Sequence, residues 1–271
     1  MKFIKIIGLL CLICFTFFYT EKIIDISMDQ DEIMTKIKEV ESTYNIKPIN
    51  AIINDNTIIP GNSGRQIDEQ SSYKAMKKIG YYDENLLIYS RVYPEISIYN
   101  NYNKYIIKGN TSNKNVSLIY IISNDKTIDN VIDIVNNNQV VINFFIDSNF
   151  LNNNINIINK INKYEIYNYG TNGKYTKDNL IITNNIINNK ANNNSTFCLF
   201  LNDDEKSLNN CINNKMFSLI PTVRGQYGNI TNNITNGSIV LIENTKELDS
   251  IVKYINTKGY NIVPLSKLIT E

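Results

Sequence analysis

The side chains that could take part in chemistry are few, and two groups of them stand out by their spacing. Asp203, Asp204 and Glu205 are consecutive, and carboxylate oxygens in such a run could bind a divalent cation. Because a helix is predicted from about residue 204, the same acids could instead complement the positive end of its dipole. Cys198 and Cys211 are too few for a zinc site, which needs four ligands.

Histidine is absent from all 271 residues, and this absence restricts the chemistry more than any other feature of the composition. It removes the commonest metal ligand and the usual general base near neutral pH. Ser-His-Asp and Cys-His catalytic groups are therefore excluded. The 27 basic and 26 acidic residues nearly balance, so no nucleic-acid partner is expected. No cofactor is predicted.

The C-terminal half shows a regular alternation of strand and helix patterns that would position these groups. Val116–Ile122 is a continuous apolar run, typical of a strand buried on both faces, and residues 128–135 carry apolar side chains at helical spacing. Short links between such units imply right-handed parallel connections and a barrel or a doubly wound sheet. The further predicted strands are Val140–Ile146, Tyr164–Tyr167, Phe197–Leu201, Phe217–Val223, Ser238–Ile242 and Ile262–Leu265.

The last long helix has predicted boundaries at both ends. Asn244 followed by Glu247 three positions later is a capping-box-like pattern, so the helix is expected to begin there. Gly259 is expected to end it, because glycine readily adopts the left-handed conformation that follows many helices.

The two cysteines lie on neighbouring predicted elements. Cys198 falls on a strand and Cys211 on the helix that follows, 13 positions later. A strand–turn–helix hairpin can bring two Cα atoms within the roughly 4.4–6.8 Å that a disulfide needs. Two buried free thiols, each packed as a small apolar group, are the alternative.

The N-terminus resembles a membrane-targeting segment. Lys2 and Lys5 precede an apolar run that extends from Ile6 to about Tyr19. No small-residue cleavage site follows the run, which favours an uncleaved signal-anchor over a removed signal peptide. The two lysines place the N-terminus in the cytoplasm. The prediction is a single-pass protein of the cell membrane whose C-terminal domain is extracytoplasmic.

Residues 23–110 differ in pattern from the part that follows. Apolar side chains at near-helical spacing predict a stalk helix in residues 23–46. A short helix is expected over Ser71–Ile79, ended by Gly80, and a strand over Leu86–Tyr89. The predicted organisation is a signal-anchor or transmembrane segment at 1–22, a stalk helix with a small extension at 23–110, and a C-terminal domain at 111–271.

Four stretches of the chain resemble the polysaccharide deacetylase family, the NodB-homology carbohydrate esterases that act on chitin and peptidoglycan. Gly237–Glu243 and Lys258–Ser266 are similar to the strand and the terminal segment with which that family ends. Asn143–Asp147 resembles its "T-F-F" strand, and Asn162–Asn168 resembles its "N-G-H-E-I-G-N" stretch. The resemblance covers about residues 114–269. It implies a distorted (β/α) barrel, preceded here by the N-terminal membrane helix and the small extension.

The resemblance also implies where the family's chemistry would lie. Members hold a divalent metal with one Asp and two His, and a second Asp acts as the base. Aligned with those motifs, the two Asp positions fall on Ile121 and Ile122, and the two metal His positions fall on Tyr169 and Gly173. Isoleucine cannot bind a cation, and tyrosine is a poor ligand at neutral pH because its pKa is about 10.

The remaining aligned positions have changed as well. The histidine that acts as the general acid, near the end of the family's sequence, aligns with Glu243. The family's Arg-Pro motif aligns near Cys198 and Leu199. Catalysis by the family mechanism is therefore not expected. Tyr169 and Glu243 are candidates for a sugar-binding cleft, with a packed rim tyrosine and a solvated carboxylate as the alternatives.

These observations predict a catalytically inactive, polysaccharide-deacetylase-like protein of the cell envelope with a glycan-binding or scaffolding role. The alternative is a divergent N-deacetylase acting on cell-wall glycans of the peptidoglycan or chitin type. The expected partners are the membrane and a cell-wall glycan. Arg65 and Arg224, each beside a glycine, could bind a carboxylate or brace the main chain.

Overall fold

The computed structural model describes residues 12, 14–16, 26–124 and 126–271. The chain divides into two compact units. The first unit comprises Met1–Pro48 and Ser63–Val92, and the second comprises Ile49–Asn62 and Tyr93–Glu271.

The described part contains α-helices and β-strands that we number separately along the chain. The helices are α1 (Glu32–Tyr44), α2 (Glu69–Lys77), α3 (Ile128–Asn137), α4 (Ser148–Asn153), α5 (Ile157–Ile161), α6 (Lys177–Lys190), α7 (Glu205–Asn213), α8 (Tyr227–Asn233), α9 (Leu248–Thr257) and α10 (Leu265–Ile269). The strands are β1 (Ile52–Asn54), β2 (Thr57–Ile59), β3 (Gly64–Ile67), β4 (Tyr89–Val92), β5 (Tyr105–Ile106), β6 (Asn115–Ile122), β7 (Asn143–Ile146), β8 (Ile166–Asn168), β9 (Phe197–Leu199), β10 (Phe217–Leu219), β11 (Val223–Gly225), β12 (Ile239–Ile242) and β13 (Asn261–Ile262).

In the first unit, α1 and α2 pack on an antiparallel pair formed by β3 and β4. Ile37 and Met76 are completely buried between them, and the small core also contains Ile33, Ile67 and Leu87. The predicted strand Leu86–Tyr89 is wrong. Asp83 accepts a hydrogen bond from the main-chain N–H of Asn85, which starts a 3₁₀ turn, and the strand begins only at Tyr89.

The second unit contains two sheets. The main sheet has the order β11-β12-β6-β7-β8, its strands are all parallel, and β13 also pairs with β6. The second sheet has the order β1-β2-β5-β10-β9 and is parallel except for the hairpin of β1 and β2. The α/β fold predicted from the strand and helix patterns is confirmed.

Side-chain alternation along the strands produces two apolar layers. In β6, Leu118 packs against the outer helices, whereas the neighbouring Ile119 points into a core shared by both sheets. Phe145 of β7 and Leu199 of β9 contribute to the same inner core. Two sheets that enclose one core form a distorted barrel.

The barrel is interrupted between β8 and β9, where no main-chain ladder is formed. The buried Tyr175 hydroxyl accepts a hydrogen bond from the Leu199 N–H, at 2.7 Å, and donates to the Asn168 carbonyl, at 3.1 Å. One side chain therefore replaces part of the missing ladder and satisfies main-chain groups of both strands.

Several predicted elements have different boundaries in the structure, and three of them have a clear physical reason. The run Phe217–Val223 is two strands, β10 and β11, in different sheets, because Pro221 has no N–H to donate to a ladder and the chain turns there. The predicted capping box at Asn244 is absent. Asn244 instead accepts from the Lys246 N–H, so a turn precedes α9, which begins at Leu248.

The C-terminal end of α9 follows the prediction, since Gly259 has a left-handed φ of +74°. The predicted final strand is shorter than expected. Pairing with β6 stops at Ile262, and α10 begins at Leu265. The carboxylate of Glu271 is buried beyond α10 and accepts hydrogen bonds from the N–H groups of Gly61 and Ile98.

The division into units does not coincide with the expected boundary at residue 111. β1, β2 and β5 belong to the second unit because β5 pairs directly with β10. The expected anchor at 1–22 lies outside the described residues except for positions 12 and 14–16. Within the described part, no helix has the length and apolar character needed to cross a membrane.

Candidate functional site

The carboxyl ends of the parallel strands form one edge of the barrel, which we call the barrel mouth. Barrels of this kind hold their sites at this edge because the loops that follow the strands converge there. β6 ends at Ile122, β7 is followed by Asp147, β8 by Tyr169 and β12 by Glu243. Three residues each follow, by two positions, a side chain that points into the inner core, so they lie on the inward-facing side of their strands: Asp147, Tyr169 and Glu243.

The two isoleucines at the end of β6 point in opposite directions. Ile121 is half-buried and packs against the inner core at the mouth. Ile122 is only 1% exposed and belongs to the outer apolar layer under the helices. Of the two aligned Asp positions, one therefore faces the mouth and the other faces the helical layer.

The two aligned metal His positions lie close together. The Tyr169 hydroxyl is 3.0 Å from the point that a Cβ on Gly173 would occupy, and Gly173 has a φ of +77°, a conformation that favours glycine. Burial raises the pKa of Tyr169, and the nearby Asp147 carboxylate raises it further, while Arg224 opposes both effects. The phenol therefore remains protonated at neutral pH.

These residues do not fit the divalent metal of the deacetylase family. The side chain of Ile122 is apolar and turned away, Gly173 has no side chain, and Tyr169 is a neutral phenol. In the described part of the chain, no three Cys, Asp or Glu residues are grouped closely enough to hold a metal ion. No metal-assisted step can be derived from this donor set.

Asp147 supports the mouth, and the sequence patterns did not assign it this role. Its carboxylate is buried and accepts hydrogen bonds from the N–H groups of Asn149 and Phe150 at the start of α4. Its second oxygen accepts from the Asn172 N–H at 2.7 Å. Its position directly before a helix is a recognisable N-cap signal. The contact with Asn172, 25 positions away, has no local signal.

Asn168 performs a similar function at the end of β8. It is completely buried, and its side-chain oxygen accepts from the Gly170 N–H at 2.6 Å and the Ser148 hydroxyl at 3.1 Å. Its amide donates to the carbonyl of Asn179 on α6. Asp147 and Asn168 together hold the loop that carries Tyr169.

An open cavity of about 400 Å³ lies beside Tyr169. Its wall combines one aromatic side chain with polar groups of the loops after β8 and β9; the lining residues are Tyr169, Asn172, Gly173, Lys174, Leu201, Asn202, Asp203 and Asp204. Asp203 is exposed at the rim. Asp204 is the N-cap of α7, where hydrogen bonds from the N–H and hydroxyl of Ser207 lower its pKa.

Arg224 and Glu243 lie on the neighbouring strands of the mouth. Arg224 donates from Nη1 to the Leu201 carbonyl at 3.3 Å, and so braces the loop after β9. Glu243 is exposed, and its Oε2 is 3.5 Å from the point that a Cβ on Gly225 would occupy. Glu243 makes no hydrogen bond or ion pair within the described residues.

Cys198 and Cys211 form a disulfide with a Cα–Cα distance of 6.5 Å. Cys198 points outward from β9 into a cluster with Phe200 and Met216, whereas the neighbouring Leu199 points into the barrel. The bridge therefore joins β9 to α7 on the outer side of the barrel, away from the mouth.

A second hollow, of about 430 Å³, lies along residues 150–160 between α4 and α5. Four asparagines contribute to its wall. None of the aligned metal or catalytic positions lines it, and we do not assign it a role.

Several known proteins are similar to this chain, although no protein-family model matches it. BA3943 from Bacillus anthracis, described as a pseudoenzyme of carbohydrate esterase family 4, has a TM-score of 0.63 at 22% identity, over 88% of this chain and 95% of its own. A mutant of BA3943 described as having restored enzymatic activity matches equally, at 0.63. PdaA of Bacillus subtilis, a family 4 carbohydrate esterase, has a TM-score of 0.52 at 14% identity, over 82% of this chain and 97% of its own.

Among curated sequences, the uncharacterized protein YlxY of Bacillus subtilis (strain 168) is 29% identical over 153 residues. The match covers 55% of this chain and 48% of YlxY, so it spans about half the length of that relative. The structural matches show the fold. The chain has the fold of the family 4 carbohydrate esterases, and the resemblance to polysaccharide deacetylases seen in its motifs is confirmed.

Proposed function

We propose that this deacetylase-like chain is a non-catalytic protein of the cell envelope that binds a cell-wall glycan at the barrel mouth. The observation that carries the proposal is that the mouth retains a cavity of about 400 Å³ although every aligned catalytic position has lost its residue. Loss of the catalytic side chains removes the deacetylation chemistry, but it leaves the cavity in which a ligand could bind.

The cavity wall has the mixture of groups that sugar recognition requires. Tyr169 offers an aromatic face and a hydroxyl, as is common where a ligand is apolar on one side and polar on the other. Asn172, Asn202 and Asp203 provide donors and acceptors for sugar hydroxyl groups. Because Asp147 and Asn168 hold the Tyr169 loop in place, little ordering is needed when a ligand binds.

The test is calorimetric titration of the full-length chain, in a neutral detergent, with a tetramer of N-acetylglucosamine. Saturable binding is expected, and Tyr169→Ala should weaken it at least about tenfold, equivalent to about 1.4 kcal/mol. Tyr81→Ala is the matched control, because Tyr81 is 61% exposed and lies in the first unit. Equal affinities for the wild-type chain and Tyr169→Ala would refute the assignment of the mouth.

The competing function is that of a divergent N-deacetylase, and the same oligosaccharide tests it by release of acetate. We expect none, with or without added zinc or cobalt, since the aligned positions offer no ligand set. Stoichiometric, metal-dependent release of acetate would overturn the non-catalytic proposal. Glycan binding without release would support it.

We also propose that the C-terminal part is extracytoplasmic and held at the membrane by the N-terminal segment. The lysine-flanked apolar run supports this, and so does the Cys198–Cys211 bridge, because disulfides persist in oxidising compartments. In intact cells the full-length chain should fractionate with membranes, and external protease should digest its C-terminal part. A mature chain beginning near residue 21–25 would instead identify a cleaved signal peptide.

A further inference from the structure

The chain contains two Asn-Gly dipeptides, and the same residue type precedes both. They are Asn172–Gly173 and Asn236–Gly237, each after a threonine. An asparagine before a glycine is open to attack on its side-chain amide by the next main-chain nitrogen, because glycine has no Cβ to hinder the approach. Since the local sequences are so similar, a difference in reactivity between the two pairs in the folded chain reports the structure around them.

The reacting groups of Asn236–Gly237 are held by hydrogen bonds. The Gly237 N–H donates to the Asn115 carbonyl at 2.8 Å, and the side-chain amide of Asn236 donates to the Thr111 carbonyl at 3.2 Å. Gly237 is also buried, and a Cβ there would be only 2.5 Å from the Gly109 carbonyl oxygen. Reaction at this pair therefore requires both hydrogen bonds to break where the main chain is closely packed.

Asn172–Gly173, at the barrel mouth, has neither kind of protection. Asn172 is exposed, and no described residue bonds to its side-chain amide or accepts from the Gly173 N–H. The pair is the tip of a tight turn, with φ of +50° and +77°, that is closed by mutual main-chain hydrogen bonds of Thr171 and Lys174 at 3.0 Å. The tip carries no buried side chain, so a local opening of the turn lets the reacting atoms approach each other.

We propose that Asn172 is a modification site that forms isoaspartate, and that this change removes the glycan-binding form of the barrel mouth. The Gly173 nitrogen, after losing its proton to the solvent, forms a bond to Cγ of Asn172. The bond from Cγ to Nδ2 breaks, and ammonia leaves with a proton taken from the solvent. Water then opens the succinimide ring. Opening at the main-chain carbonyl gives isoaspartate, opening at the side-chain carbonyl gives aspartate, and neither route needs an oxidant or a reductant.

Isoaspartate changes both the length and the charge of the turn. It adds one carbon to the main chain before Gly173, so the two ends of the turn can no longer pair as they do in the folded chain. It also adds a carboxylate beside Asp147, whose Oδ2 accepts from the Asn172 N–H at 2.7 Å, and like charges repel. The turn lines the cavity, and Gly173 lies against the Tyr169 hydroxyl. The loss of glycan binding rests on the proposed function, whereas the modification itself does not.

Mass spectrometry of the full-length chain tests the modification without any variant. The chain, in a neutral detergent, is incubated at mildly alkaline pH in water enriched in ¹⁸O, so that each conversion incorporates one heavy oxygen. Electron-transfer fragmentation of its peptides distinguishes isoaspartate from aspartate. Because the reacting groups of Asn236–Gly237 must first lose their own hydrogen bonds, Asn172 should convert at least about tenfold faster than Asn236. In urea the two rates should become similar, since the local sequences are alike.

Calorimetric titration with the N-acetylglucosamine tetramer measures the consequence for the barrel mouth. The aged chain should bind at least about tenfold more weakly than the fresh chain. Asn172→Asp carries the new charge without the longer main chain and should lose less affinity. An isoaspartyl methyltransferase with S-adenosylmethionine converts isoaspartate to aspartate, and should return the aged chain to the affinity of that variant. Asn236→Asp is the matched control at the other dipeptide and should leave the affinity unchanged.

The outcomes separate the modification from the proposed function. Equal rates for the two asparagines in the folded chain, faster conversion of Asn236, or the absence of isoaspartate at position 172 would overturn the modification site. Equal glycan affinities of the fresh and aged chains would overturn its effect on the mouth. A fresh chain that does not bind the tetramer would refute the proposed function, while the ¹⁸O labelling would still decide whether Asn172 is modified.

Discussion

The Cys198–Cys211 bridge should contribute about 3 kcal/mol to the free energy of unfolding. The bridge closes a loop of 13 positions, and restricting the unfolded chain by a loop of that length gives about this value in the chain-entropy model. Both cysteines are completely buried in a cluster with Tyr175, Phe200 and Met216. Any loss of packing around the sulfur atoms would add to the entropic contribution.

A double-mutant cycle separates the bridge from packing. Either Cys198→Ala or Cys211→Ala breaks the bridge, so each single variant should lose about 3 kcal/mol. The double variant should then lose only slightly more than each single variant, because the bridge can be broken only once. Two independent thiols would instead give additive losses.

Equilibrium unfolding in urea, followed by circular dichroism, measures all four corners of the cycle. The urea m-value should rise in every variant, because a chain without the cross-link exposes more surface when it unfolds. Mass spectrometry of the unreduced wild-type chain should find the two peptides linked. Additive losses, or alkylation of both thiols in the unfolded and unreduced chain, would refute the reasoning.

Three further substitutions test buried and coupled groups by urea or thermal unfolding. Glu271→Ala leaves the N–H groups of Gly61 and Ile98 without their acceptor, and it should lower the free energy of unfolding by about 3 kcal/mol. A loss under about 1 kcal/mol would contradict these contacts. Tyr175→Phe removes the hydroxyl that links β8 to β9 and should cost about 2 kcal/mol, and an unchanged midpoint would argue against that link. Burial raises the pKa of Glu41, and a hydrogen bond with Glu69 raises it further. The contribution of Glu41 to stability is therefore fully present below its unfolded pKa, near 4.3, and disappears as the pH rises through its folded pKa. Glu41→Gln should therefore stabilise the chain by a few tenths of a kcal/mol at pH 7 and by nothing below about pH 4, whereas a pH-independent effect would rule out this origin.

The strand and helix patterns were sufficient to predict the α/β fold, because those patterns are local. The apolar run that became β6 and the helical spacing of residues 128–135 each report burial along one element. Gly259 ends α9 for an equally local reason, the backbone conformation that it adopts. The absence of histidine likewise needs no structure to exclude the commonest catalytic groups.

Of the element boundaries that were predicted wrongly, one depends on pairing between distant segments and another on a local turn. The run Phe217–Val223 is apolar throughout, but its two ends pair with strands of different sheets, and nothing within the run states which partners are available. Asn244 carries a capping pattern, yet a turn stabilised by its own side chain delays the helix to Leu248.

The residues of the candidate site were also predictable only in part. Tyr169, Gly173 and Glu243 were identified by resemblance, and the strands place all three at the barrel mouth. The support from Asp147 and Asn168 could not be predicted from local patterns, since their partners lie on other elements.

The sequence by itself determined that the chain has strand–helix units and lacks the groups of the deacetylase mechanism. Only the tertiary structure decided that Ile121 faces the mouth while Ile122 faces the helices, and that Arg65 lies directly opposite Arg91. The physical reason is that composition and periodicity depend on neighbours along the chain. Pairing register and side-chain direction depend instead on which distant segments bury the same surface.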